Sequence, residues 1–196
     1  GTTPGGTAPA SKFVDMAGYE WANTAVNTLA NMGVIDGRTE TMFVPAGSVT
    51  RAEFTKMVCA AMALPQRENA TQKFDDVPNT HWAFGWISIA AELGIVEGYT
   101  DTEFKPDQTI NREQMAAILY RAINAAKNMG RLPNGSPAYF ADYAQISDYA
   151  KTAIDRLSAA GVINGVTDTT FVPKATANRA QAASILYQYF KAIGVV

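Results

Sequence analysis

The sequence predicts a mainly α-helical protein: three tandem helix-loop-helix repeats forming one pseudo-threefold domain with a central three-helix bundle. Two observations carry this. One ordered set of residues recurs three times in fixed register, and each copy ends in an apolar-striped helix that opens on a capping signal. The copies begin at Phe13, Phe74 and Phe140, each with an aspartate two places on: Asp15, Asp76 and Asp142. An early aromatic follows, Trp21, Trp82 and, one place later in its copy, Tyr149. Glycine pairs come next, Gly33 with Gly37, Gly94 with Gly98, and Gly161 with Gly165. Ten residues beyond the first glycine stand Phe43, Phe104 and Phe171; two further on are Pro45, Pro106 and Pro173; six beyond those are Arg51, Arg112 and Arg179. Self-similarity of this kind marks a repeat architecture.

Residues 1–12 are small, polar and Gly/Pro-rich, which is linker composition. They contain no apolar stretch of the kind a signal peptide needs, so a larger cargo domain is expected upstream. The repeats then occupy residues 13–64, 74–123 and 140–196, joined by connectors at 65–73 and 124–139. In each copy the first helix carries one apolar stripe: Val26 and Leu29, Ile87 and Ala90, or Ile154 and Leu157. Gly33, Gly94 and Gly161 follow, where a helix end favours a residue free to take positive φ. The second helix buries a face built from Phe54, Met57 and Val58, from Met115, Ile118 and Leu119, or from Ala182, Ile185 and Leu186.

That second helix opens on Thr50 with Glu53, Asn111 with Gln114, or Asn178 with Gln181. Each pair has the form of a capping box, in which cap and third helical residue satisfy each other's backbone amides. The arginine between them is not explained by capping. A cation in the first helical turn opposes the helix dipole, at about 0.3–1 kcal/mol, so its threefold recurrence needs a reason. A unit of this size buries too little apolar surface to be stable alone. Three units sharing one core by closure is the economical solution, and an open stack is the alternative.

Composition removes several function classes. The 196-residue chain has 16 Lys and Arg against 18 Asp and Glu, net −2, which is not the footprint of a nucleic-acid binder. No apolar run is long enough to span a membrane. A single cysteine, Cys59, rules out an internal disulfide, and with the single histidine, His81, it rules out a zinc site built mainly from these residues. Cys59 reads as a small buried hydrophobe. The acidic loop near Asp101 and Glu103 lacks the spacing of an EF-hand. No cofactor and no metal are expected.

In order along the chain, the Phe-x-Asp start, Trp82 beside His81, the paired glycines, Phe-x-Pro and the Thr50-to-Glu53 box resemble S-layer homology (SLH) repeats. The resemblance covers about residues 13–193. It implies a three-pronged helical domain that holds exported proteins on the bacterial cell wall. Its inter-repeat grooves would bind secondary cell-wall polysaccharide, often through a pyruvylated amino sugar, with peptidoglycan as a further candidate partner. Asn111 and Asn178 depart from the family's threonine, and Tyr149 and Gln181 depart from its tryptophan and glutamate, so unequal affinities are expected.

The candidate ligand-binding residues follow from the chemistry of such a ligand. A carboxylate-bearing sugar calls for Arg51, Arg112 and Arg179, whose planar forks grip carboxylates bidentately. Trp21, Trp82 and Tyr149 offer ring faces, Ser48, Thr109 and Thr176 offer hydroxyls, and Gly33, Gly94 and Gly161 allow close approach to the backbone. Each has a structural alternative. The arginines pair with Asp15, Asp76 or Asp142 to lock repeats together, the aromatics are partly buried, and the glycines are helix caps. The leading function is a non-catalytic glycan-binding anchor at the cell surface. A structural self-assembly module making protein–protein lattice contacts is the alternative, and a glycosidase using a carboxylate pair ranks behind both, since no such pair stands out from the repeats.

Overall fold

Residues 12–126 and 129–196 are described in the computed structural model. The expected linker therefore lies outside the described residues, apart from Lys12. Among these residues six helices follow one another, two per repeat. They are α1 (Asn23–Asn31), α2 (Arg51–Ala61), α3 (Phe84–Glu92), α4 (Arg112–Ala125), α5 (Asp148–Ala159) and α6 (Arg179–Ala192). Short 3-10 turns at Glu20–Ala22 and Tyr143–Gln145 lead into α1 and α5. His81 precedes α3, and its Nδ1 accepts from the Ala83 amide.

All three capping boxes form. Thr50, Asn111 and Asn178 accept from the amides of Glu53, Gln114 and Gln181, whose side chains reach back to the cap amides. Gly33, Gly94 and Gly161 stand just past the ends of α1, α3 and α5 with φ of 71°, 68° and 70°, as a left-handed cap requires. Nothing lies within 4 Å of a Cβ built on any of them. Their glycine identity is a matter of backbone angle.

The pairing of helices does not follow the repeats. α3 packs chiefly on α2, α5 on α4, and α1 on α6, while α2 also contacts α4 and α6. Each repeat's first helix is therefore laid against the second helix of the preceding repeat, and the first repeat is laid against the last. This closes the ring and excludes the open stack. One continuous core runs through all three repeats, with Phe13, Phe43, Phe74, Phe104, Phe140 and Phe171 buried in it.

A ring of backbone hydrogen bonds surrounds the axis. The Ile110 amide donates to the Val49 carbonyl at 2.9 Å, Ala177 to Ile110 at 3.0 Å, and Val49 to Ala177 at 3.2 Å. The first amides of the inner helices join it: Arg51 donates to Gln108, Arg112 to Ala175, and Arg179 to Gly47, with the next residue of each helix reaching Pro106, Pro173 or Pro45. Helix starts normally leave such donors without partners. Here the neighbouring repeat supplies the acceptors, so these helix starts are closed to an anion.

Gly37, Gly98 and Gly165 are constrained by space. A Cβ on Gly98 would lie 2.2 Å from the Thr100 carbonyl oxygen and 2.7 Å from that of Glu103. Gly98→Ala is expected to destabilise the fold by about 3 kcal/mol through overpacking against backbone. Gly94→Ala, with open space but a left-handed φ, is expected to cost about 1 kcal/mol. Urea unfolding of the two variants measures the difference.

Candidate functional site

The three arginines that open α2, α4 and α6 reach across to the next repeat in the same way. Arg51 donates from Nε to the Phe104 carbonyl (3.0 Å) and from Nη2 to that of Glu97 (2.9 Å). Arg112 donates to Phe171 and Asn164, both at 2.8 Å. Arg179 donates to Phe43 (2.8 Å) and Asp36 (2.5 Å). Each guanidinium also lies over the ring of that phenylalanine, 4.5–4.6 Å from its centroid. Arg51 and Arg179 are buried and Arg112 is partly exposed. Burial lowers the pKa of all three, although a guanidinium remains charged.

The arginines do lock repeats together, but through carbonyls. Asp15, Asp76 and Asp142 face the backbone instead, each taking the two amides of the phenylalanine and its successor, for example Phe171 at 2.8 Å and Val172 at 2.7 Å from Asp142. Burial opposes the charge of Asp142, yet these amides and Arg112 together bring its pKa below the ordinary value. The successors Val44, Lys105 and Val172 have φ of 59°, 61° and 56°, a left-handed conformation uncommon for any residue but glycine and strained for the two branched valines. Three repeated strained turns, each fastened by a carboxylate, aim the carbonyls that the arginines grip.

Beside each clamp lies an open groove, and each groove draws on all three repeats. Arg179 shares a cavity of about 310 Å³ with Gly37 and Glu53 of the first repeat and Trp82 of the second. Arg51 shares one of about 250 Å³ with Gly98 and Gln114 of the second repeat and Tyr149 of the third. Arg112 shares one of about 430 Å³ with Gly165 and Gln181 of the third repeat and Trp21 of the first. Trp21, Trp82 and Tyr149 are 57 %, 53 % and 49 % exposed, so each is a half-open aromatic in the wall of its groove.

The other sequence candidates lie elsewhere. Ser48, Thr109 and Thr176 sit in the ring of bridges about the axis, facing Asn178, Thr50 and Asn111. Gly33 and Gly161 do not line the three grooves, and Gly94 borders an adjoining cleft with Tyr149. The glycines against the grooves are Gly37, Gly98 and Gly165, the second of each pair. No cluster of metal-ligating side chains occurs among the described residues. Cys59 is fully buried, and burial pushes its thiol up to about 12.

Sequence reasoning missed Glu113, which is 2 % exposed. Its carboxylate accepts from the Ser147 amide and hydroxyl, both at 3.0 Å, from the Tyr149 hydroxyl at 2.9 Å and from Lys174 Nζ at 2.5 Å. It thus fastens the groove aromatic of the third repeat. Ala52 and Ala180 occupy the same register elsewhere, opposite tryptophans that have no hydroxyl to hold. That single glutamate among alanines, with the single tyrosine among tryptophans, was the available signal.

The S-layer homology domain model matches residues 12–55, 73–116 and 139–183. Among similar proteins, an exoglucanase XynX of Acetivibrio thermocellus is 35 % identical over 85 % of this chain, which covers 15 % of that protein. A cellulosome-anchoring protein of the same species is 28 % identical over 74 % of the chain and 32 % of its own length. An S-layer protein of Bacillus thuringiensis subsp. finitimus is 27 % identical over 95 % of the chain and 22 % of its length. The chain thus spans less than a third of each of these relatives.

Burial alone would raise the pKa of Glu113, but Lys174, the Ser147 amide and the hydroxyls of Tyr149 and Ser147 outweigh it and bring it below the ordinary value. A carboxyl depressed in the folded state contributes stability above its unfolded pKa and loses it as pH falls through the folded pKa. Glu113→Gln is therefore expected to flatten the loss of unfolding free energy between neutral and acid pH, as urea titrations at each pH measure. Glu113→Ala is expected to cost about 2 kcal/mol at pH 7 by stranding the partly buried Ser147 and Tyr149 groups.

Proposed function

Because the chain belongs to the S-layer homology family, we propose that it is a non-catalytic anchor that binds an acidic cell-wall polysaccharide in its three grooves. The site of action is the bacterial cell surface and wall. The observation that supports this reading is the threefold recurrence of one site: a guanidinium, a bare glycine backbone, an amide or carboxylate, and a half-exposed aromatic face. Sugars stack on such faces, and a carboxylate on the sugar, such as a pyruvate ketal, is drawn to the cation. Relatives with enzyme names share only a small part of their length with the chain, which fits a tether carrying a larger cargo. Grooves engaging one polymer chain add by effective concentration, so weak single sites suffice for firm attachment.

Co-sedimentation with purified cell walls tests this. Binding is expected to disappear when the acidic polymer is stripped from the wall. Replacing Trp21 and Trp82 together by alanine, at exposed positions the fold tolerates, is expected to weaken binding at least tenfold. Undiminished binding in either case overturns the reading. Concentration-dependent oligomers of the chain in the absence of wall material, seen by sedimentation velocity, would instead support self-assembly. Attachment through carboxylate–cation contacts is also expected to weaken with added salt, as surface charge pairs do.

A further inference from the structure

The three grooves are built on one plan, but their rims differ in charge at equivalent positions. The first position is the residue after the groove glycine: Arg38, Tyr99 or Val166. Beside Arg179, Arg38 is paired with Glu53, and Lys56 is paired with Asp36 at 2.9 Å. Beside Arg51, the Tyr99 ring covers the guanidinium at 4.7 Å, the Gln114 amide donates to the Tyr99 hydroxyl at 2.9 Å, and Arg121 is paired with Glu97 at 3.0 Å. Beside Arg112, Val166 offers no ring, and the guanidinium stacks on Phe171 alone. The polar residues lining that groove are Asn164, Gln181, Ser184 and Gln188, with no carboxylate among them. Asp142, which faces Arg112 electrostatically, is turned to the Phe171 and Val172 amides, and Asp15 and Asp76 do the same in their own repeats.

We propose that the grooves have divided their labour, and that the groove holding Arg112, Gln181, Ser184, Gln188 and Trp21 is the one that receives the carboxylate of an acidic saccharide. The other two receive uncharged sugar. An anion entering the Arg179 groove meets Glu53 and Asp36 and competes with ion pairs already made. One entering the Arg51 groove meets Glu97 and a tyrosine lid. In the Arg112 groove the positive charge has no lining acid to share it, the neutral donors of Gln181, Ser184 and Gln188 can bond carboxylate oxygens or hydroxyls, and the cavity is the largest of the three. The proposal rests on the wall-polysaccharide reading above.

The capping position within each groove provides a matched test. It is Glu53 in one groove and Gln114 or Gln181 in the others, so glutamate is compatible with the capping box. Gln181→Glu and Gln114→Glu are measured by calorimetry at low ionic strength against soluble acidic wall polymer and the same polymer with its carboxyl groups reduced. Melting temperatures check that both variants fold as the unaltered chain does. Gln181→Glu is expected to weaken binding of the acidic polymer at least tenfold and to leave the reduced polymer within twofold. Gln114→Glu, in a groove that receives uncharged sugar, is expected to shift binding of the acidic and the reduced polymer by the same factor, and by less than Gln181→Glu weakens the acidic one. Equal losses for the two variants, or a larger loss for Gln114→Glu, overturn the division of labour. Failure of the unaltered chain to bind either polymer overturns the polysaccharide reading itself.

Discussion

Everything in this fold depends on an arginine leaving one repeat and closing on two carbonyls of the next. A repeat by itself has an outer helix with no partner of its own and an inner helix whose first amides lack acceptors. Closure supplies both at once. The neighbour's loop accepts from the helix start, and the guanidinium fastens that loop from the side while stacking on its phenylalanine. A lysine could not do this, because a single ammonium lacks the planar fork that spans two acceptors and lies flat on a ring. The placement at the helix start opposes the dipole only weakly, and two hydrogen bonds from a charged donor outweigh it.

The clamp works because its target is held rigid. The loop between glycine and phenylalanine brings the two carbonyls to one fork, closed by the Arg38, Tyr99 and Val166 amides donating to Met42, Glu103 and Thr170, and just beyond it Val44, Lys105 or Val172 takes a left-handed conformation. A residue other than glycine does not stay there unless its surroundings impose it. The aspartate at the start of each repeat imposes it, taking the amides on either side of the strained residue's carbonyl neighbour. Asp15 and Arg179, far apart in sequence, thus act on the two sides of one loop. The Phe-x-Asp and Phe-x-Pro signals are two ends of one device.

Much of this was legible in the sequence because local chemistry leaves local marks. The capping boxes, the left-handed glycines and the apolar stripes are each set by residues within a turn or two, and all appear where the periodicity put them. What could not be read was which partner each surface meets. A stripe shows that α3 has a buried face, but not that it rests on α2 of the preceding repeat. An arginine suggests a carboxylate partner, since backbone carbonyls carry no residue signature. The hydroxyls of Ser48, Thr109 and Thr176 looked available to a sugar because the backbone bridges that carry them to the axis are invisible in side-chain identity. Glu113 leaves no mark in the shared pattern, because the other two repeats carry alanine at its position.

A residue that recurs in every repeat is demanded by something every repeat must do, and here that is closure. The three arginines are sufficiently explained by it, so their presence in each groove does not by itself make three equal sites. The grooves nevertheless inherit the guanidinium, because the clamp leaves it at the floor of a cleft formed by three repeats. Ligand chemistry is then adjusted at the rim, by residues such as Arg38, Tyr99 and Val166, which stand at one position and differ from repeat to repeat. An architecture that needs the same cation three times for its own stability thereby provides three starting points for recognition, each free to diverge without loosening the ring.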